Sequence, residues 1–328
     1  MTAIIEGGQQ QPQENINSQV KASFVRSQLI LFNSRRKFGL LYSLATLAGI
    51  FCVPGVIGAI GSETEILEAI RGVLPLPFIS LLVAVGMYIL NDLVDADLDR
   101  TNAKSRPIPS GKVSRRQVWT FIVLTNGTGV VLAASTSNLT SIMLVAPMLL
   151  IGILYSAPKV ALMKRFVIKN LTIAIFYMLC VLLGITSSYG TELAFSEPIV
   201  PIHAMAIFGI MIFVGSIVND LGDVKGDRAA GRRTIPIVLG GKSTLTTLII
   251  LLACMPAISW TLYALAADGM SMTTAIATSV VGLLAVARMT KISRVLQDAE
   301  LMRKQHKKWF PLHMVLQTSF VIGGLLFI

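Results

Sequence analysis

Long apolar stretches separated by short polar connections dominate this chain. In order they cover roughly 38–61, 74–93, 117–135, 139–156, 168–188, 203–220, 244–266, 272–289 and 309–328. Each is about 20 residues, the length that crosses a bilayer as a helix, so the pattern predicts an all-α protein with nine transmembrane helices. The connections alternate in character. The N-terminal segment and the connections after the second, fourth, sixth and eighth runs carry five, six, four, five and seven Lys and Arg, which is 27 of the 28 in the chain; Arg71 alone lies on the other side. Basic loops stay on the cytoplasmic side, which puts the N-terminus inside and the C-terminus outside. One missed helix would scramble so clean a split.

Composition agrees with that reading. The chain is 54% hydrophobic and 14% charged, with a mean hydropathy of +0.72, which excludes an ordinary soluble domain. The formal charge of +11 would suit nucleic acid, but its one-sided distribution makes it a topology signal. Residues 1–22 are polar, Gln/Asn-rich and lack an apolar core, so they read as a disordered cytoplasmic tail and not a signal peptide, before one membrane domain at 23–328. Cys52, Cys180 and Cys254 each sit alone in an apolar run and read as small buried side chains. His203, His306 and His313 are scattered and show no metal spacing.

Local signals place the remaining boundaries. Ser114 can cap a helix starting near Arg115, a short turn lies around Ser135–Asn138, and Pro158 is placed to end the fourth helix. The connection after the fifth run (YGTELAFSEPIVPI) is acidic with no Lys or Arg. The long basic connection after the eighth reads as partly helical along the membrane surface.

Against this apolar background stand two acidic clusters of the same form. NDLVDADLD at Asn91–Asp99 and NDLGDVKGD at Asn219–Asp227 both follow Asn-Asp-x-x-Asp-x-x-x-Asp, and together they hold seven of the chain's 17 acidic residues. The first ends the second helix and the second ends the sixth. An even number of helices separates them, so both lie on the cytoplasmic side in parallel half-units. Each precedes a basic turn, Arg106-Pro107-Ile108-Pro109 and Arg233-Thr234-Ile235-Pro236. Residues three and four apart share a helix face, so Asp92, Asp95 and Asp99 line one side below Asn91, while Asp97 points away. Solvated helix ends give no reason for such a repeat. Like charges at this spacing destabilise a helix, and a hard divalent cation bound by carboxylate oxygens would compensate. Mg²⁺ also takes substrate phosphate oxygens into its shell, and the nearby Arg and Lys suit a diphosphate. An apolar bundle suits a hydrocarbon tail. Metal, diphosphate and tail together imply a prenyl diphosphate that ionises to an allylic cation captured by an acceptor.

The two motifs, the RPIPSG segment after the first, Tyr155-x-x-x-Lys159 and the nine helices together resemble the UbiA family of intramembrane prenyltransferases over residues 30–328. The resemblance implies a helical horseshoe of two four-helix halves plus one helix, with a central cavity open to lipid and the acidic motifs at its cytoplasmic mouth. It implies that Asn91, Asp92, Asp95, Asp99, Asp220, Asp223 and Asp227 hold two Mg²⁺, with Asp95, Asp223 and Lys159 central to catalysis. Tyr155, Lys159 and Arg106 would meet the diphosphate, and Arg36 is a further candidate from its place before the first helix. Arg232 and Arg233 are candidates either for diphosphate contact or for anchoring their loop.

Within the family the motif stretches look most like the archaeal digeranylgeranylglyceryl phosphate synthases, which add a second geranylgeranyl chain to geranylgeranylglyceryl phosphate. The 4-hydroxybenzoate enzymes usually carry Arg where this chain has Ala96, while chlorophyll synthases share a GDR-x-x-G turn with Gly226–Gly231, so an aromatic or tetrapyrrole acceptor stays open. A terpene cyclase of the same family would use the same ionisation. A transporter would place charges near the bilayer midplane, where this chain has almost none. The expected partners are a prenyl diphosphate, a lipophilic acceptor and membrane lipid; neither nucleic acid nor a protein partner is indicated.

Overall fold

The computed structural model describes residues 11–52, 67, 70–101, 106–186, 198–266 and 269–326. In chain order the helices are α1 (Gln11–Cys52), α2 (Pro75–Val94), α3 (Ala96–Thr101), α4 (Arg115–Ser135), α5 (Leu139–Ser156), α6 (Ile168–Ile185), α7 (Ile199–Ala229), α8 (Ile235–Leu239), α9 (Gly241–Leu265), α10 (Met272–Ser293), α11 (Ala299–Lys307) and α12 (Phe310–Leu326). Eight of the described helical segments are long and apolar enough to cross a membrane, and they are the second to ninth runs read from the sequence. The first run, 38–61, is described as far as Cys52, within α1. That helix begins at Gln11, inside the stretch expected to be a disordered tail; residues 1–10 lie outside the described residues, as does most of the acidic connection after α6.

Local chemistry sets the helix starts. Pro75 and Pro77 open α2, where a missing N–H costs nothing. Ser114 Oγ accepts from Gln117 N while Gln117 Oε1 accepts from Ser114 N, a reciprocal cap at the predicted start of α4. Asn138 Oδ1 accepts from Thr140 N to start α5, and the chain leaves that helix at Ala157, before Pro158.

The helices pack as a ring: α1 against α2, α2 against α4, α4 against α5, α5 against α6, α6 against α7, α7 against α9, α9 against α10, α10 against α12, and α12 back on α1. The first half is α1, α2, α4 and α5, the second α6, α7, α9 and α10, with α12 closing the ring. α1 and α6, which open the two halves, cross at close range. A Cβ on Gly49 would run into Val181 O, and one on Gly184 into Thr46 O; Thr46 Oγ1 also donates to Cys180 O at 2.9 Å. Without a hydrophobic drive in lipid, small residues of this kind let helices associate. Gly184→Leu should therefore lower the stability of the detergent-solubilised protein by about 1–3 kcal/mol, seen as a lower thermal midpoint. Gly127→Leu, on the open outer face of α4, should leave the midpoint unchanged.

Tyr42, Phe176, Tyr177, Phe208 and Phe320 are fully buried and fill the centre, with Tyr42 edge-on to both Phe176 and Tyr177. The outer faces of α4 and α5 expose Val123, Val131, Met143 and Ile153, the distribution expected of surfaces that meet lipid tails. The protein is a multi-pass integral membrane protein.

Candidate active site

Both acidic motifs are carried at one end of the ring by the last turns of α2 and α7. In the first motif α2 ends at Val94, Asp95 caps it, and α3 resumes at Ala96. Asp95 N still donates to Asn91 O and Asp99 N to Asp95 O, at 2.9 and 2.8 Å, so the helical phase runs through the break. Asp92 and Asp99 are consequently buried together, while the Asp97 side chain is 95% exposed and takes Arg100 as a partner. The second motif lies wholly within α7. That helix stops in a Schellman turn: Gly231, at φ +66°, donates to Arg228 O, and Arg232 N donates to Asp227 O. The turn brings the Arg232 side chain back under the helix it has just left.

Every carboxylate of the two motifs faces a cation. Asp92 accepts from Arg35 through both oxygens, at 2.7 Å from Nε and through NH2 to the other. Arg106 donates to Asp92 at 2.8 Å and to Asp99 at 2.5 Å. Arg232 reaches Asp95 at 2.6 Å and Asp227 at 3.4 Å, and so joins the two halves. Burial alone would lower its pKa, but Asp95 and Asp227 hold the Arg232 guanidinium above its ordinary value. Lys169 lies 2.5 Å from Asp220 and 3.8 Å from Asp227, and Asn170 donates to the second oxygen of Asp220 at 3.1 Å. Arg303, on α11, pairs with Asp223 at 3.1 Å. It gets there because Gly222 lets Met302 and Arg303 pack flush on α7.

Several sequence-predicted residues meet here and others do not. Asp92, Asp95, Asp99, Asp220, Asp223, Asp227, Arg106 and Arg232 form the cluster. Tyr155 is buried within the electrostatic reach of Lys169, Asp220 and Arg232. Asn91 donates to Met163 Sδ at 3.0 Å. Arg36 is exposed on the outer side of α1, and its neighbour Arg35 holds the position expected of it. One residue turns a helix by about 100°, so adjacent arginines cannot both face the acids. Arg233 is exposed too, and its backbone N–H donates to Lys164 O at 3.1 Å, which anchors its loop to the connection after α5. Lys159 is exposed beyond the end of α5. Lys169 and Arg303 escaped sequence reading. Lys169 had one visible signal, a basic residue set inside the first turn of an apolar helix and followed by Asn170; Arg303 had none.

Among the described residues no three acids or histidines lie close enough together to hold one ion as they stand. The donor set nevertheless fits a hard divalent cation with its diphosphate. It is all carboxylate oxygen, and two of its buried atoms lack a hydrogen-bond partner: the acceptor Asp227 Oδ2 and, on the residue beside it, the donor Arg232 Nε. A cation would satisfy the first and a phosphate oxygen the second.

Comparison with known proteins matches residues 34–310 to the UbiA prenyltransferase family. The digeranylgeranylglyceryl phosphate synthase of Thermococcus kodakarensis is 32% identical over 198 residues, which are 60% of this chain and 65% of that protein. The chloroplastic chlorophyll synthase of Oryza sativa subsp. japonica is 29% identical over 157 residues, 46% of this chain and 40% of the relative. The matched stretch thus spans less than two thirds of either relative. A UbiA homologue from Archaeoglobus fulgidus, solved bound to GPP and Mg²⁺, has the same fold, with a TM-score of 0.62 at 18% identity over 92% of this chain and 99% of that one.

Proposed function

Because the chain belongs to the UbiA prenyltransferase family, we propose that it catalyses the Mg²⁺-dependent transfer of a geranylgeranyl group from its diphosphate to the free hydroxyl of geranylgeranylglyceryl phosphate. The observation that carries this reading is the pair of acid clusters at the ends of α2 and α7, interleaved with Arg35, Arg106, Arg232 and Lys169. Two Mg²⁺ bound among these carboxylates would neutralise the diphosphate as it leaves.

The chain's own side chains do the rest. Asp92, Asp95 and Asp99 on one half and Asp220, Asp223 and Asp227 on the other hold the ions. Arg35 and Arg106, already aimed at the same acids, hold diphosphate oxygens by forked, charge-assisted hydrogen bonds. Tyr155 and Arg232 face it from the other side of the mouth, while Lys159, exposed beyond the end of α5, would have to turn inward to join them. As the bond between the allylic carbon and the leaving oxygen breaks, positive charge develops on the prenyl group. Phe38 and Tyr88 stack at 4.7 Å one turn from Arg35 and Asp92, and such ring faces stabilise a cation. The buried apolar interior excludes water as a competing acceptor. The acceptor oxygen then bonds to the allylic carbon and gives its proton to the departing diphosphate, which leaves at the end of the ring that carries the acidic motifs.

The similarity to a digeranylgeranylglyceryl phosphate synthase supports the glyceryl phosphate acceptor. A chlorophyll synthase relative and the Gly226–Gly231 turn favour a tetrapyrrole acceptor as the second reading. Membranes containing the protein should convert labelled geranylgeranyl diphosphate and geranylgeranylglyceryl phosphate to a product carrying two prenyl chains. Product with chlorophyllide or an aromatic acid instead would replace the acceptor, and a cyclised hydrocarbon formed without any acceptor would replace the reaction.

A further inference from the structure

Among the described residues, Arg232 pairs with acids from both halves of the site. Arg232 NH2 lies 2.6 Å from Asp95 Oδ1 at the end of α2, and Arg232 NH1 lies 3.4 Å from Asp227 Oδ1 at the end of α7. The guanidinium is nine-tenths buried and is held by the Schellman turn at Gly231, not by a flexible loop. It therefore sits between acids of both motifs, on carboxylates that would otherwise be free to hold a divalent ion. Its Nε has no acceptor, and Asp227 Oδ2 beside it has no donor, the nearest cation being Lys169 Nζ at 3.8 Å. The protein's own groups thus satisfy Arg232 and Asp227 incompletely, and a metal–diphosphate pair would supply both missing partners.

We propose that Arg232 couples metal binding to diphosphate binding: it occupies carboxylates of both motifs in the free protein and passes to a diphosphate oxygen when metal takes them. This rests on the reading of the site as a Mg²⁺–prenyl diphosphate site. Two consequences follow from charge alone. A metal ion arriving by itself must displace a buried cation from Asp95 and Asp227 and leave it unpaired, which weakens binding. A metal arriving with diphosphate gives Arg232 a new anion at once. Coupling of this kind is reciprocal, so diphosphate tightens metal and metal tightens diphosphate by the same factor. Site assembly is then confined to the loaded state, and the free carboxylates do not hold metal unproductively.

The test is Mn²⁺ binding to the purified full chain, followed by electron paramagnetic resonance, with and without a geranyl thiolo-diphosphate that resists ionisation. In the native protein the analogue should tighten Mn²⁺ about 100-fold, at the upper end of ordinary coupling. In Arg232→Gln, Mn²⁺ alone should bind about tenfold more tightly than in the native protein, and the analogue should improve it less than about fivefold. Arg232→Lys keeps the charge but not the fork, so it should fold as the native protein does and show an intermediate coupling. Arg232→Gln with unaltered coupling, or with Mn²⁺ alone bound no tighter than native, would overturn the role of Arg232 and leave the site standing. A native protein that binds no Mn²⁺ under either condition would overturn the site reading itself.

Discussion

Asp95→Ala and Asp223→Ala are each expected to reduce kcat/KM by about 10³-fold or more, a loss of about 4 kcal/mol of transition-state stabilisation. Chelation by EDTA should do the same until Mg²⁺ is restored. These two acids give the cleanest test because they are the most accessible of the six in the cluster: their side chains are 12% and 22% exposed, against 2% for Asp92 and 1% for Asp220. Truncating Asp92 or Asp220 would strand Arg35 or Lys169 as a buried unpaired charge, which costs folding stability. Loss of activity there would be ambiguous. Truncating Asp223 frees Arg303, which is half exposed and easily resolvated. Truncating Asp95 frees Arg232, which keeps Asp227 as a partner. Both variants should therefore remain folded, with thermal midpoints near native, and report on ion binding. Full turnover in either would remove that residue from the metal site.

What the sequence revealed and what it concealed divide along a physical line. Features set by neighbours in the chain were readable: the span lengths, the Ser114 cap and the shared face of Asp92 and Asp99 with Asp97 turned outward. Each depends on interactions within about four residues. The pairing of Arg303 with Asp223 joins residues 80 apart, and that of Lys169 with Asp220 joins residues 51 apart. No local pattern announces such contacts; packing of α11 on α7 and of α6 beside it decides them. The choice between Arg232 and Arg233 was open for a related reason. Only the hand of the turn at Gly231 determines which of two consecutive arginines folds back toward Asp227, and that turn sends Arg233 toward Lys164 instead.

Arg35 and Arg36 carry the same lesson into a prediction. Arg35→Ala should lower kcat/KM for the prenyl diphosphate about 100-fold or more, the cost of removing a forked contact to charged oxygen in a buried site, whereas Arg36→Ala should stay within about twofold. The phase of α1 decides this. Arg35 faces inward, bonded to both oxygens of Asp92, with its guanidinium carbon 5.7 Å from the ring centres of both Phe38 and Tyr88. Arg36, turned about 100° further round the helix, faces outward. A structural role for Arg35 alone would show as a lower thermal midpoint with KM unchanged in the surviving protein. A role at the diphosphate shows as a raised KM for the prenyl diphosphate, with the acceptor KM unaffected. Arg35→Lys separates the two further, because an ammonium keeps the charge opposite Asp92 but cannot make the two parallel bonds of a guanidinium. It should recover stability more fully than activity. Equal losses in Arg35→Ala and Arg36→Ala would mean that the first helix presents a different face to the acids, and would return Arg36 to the site.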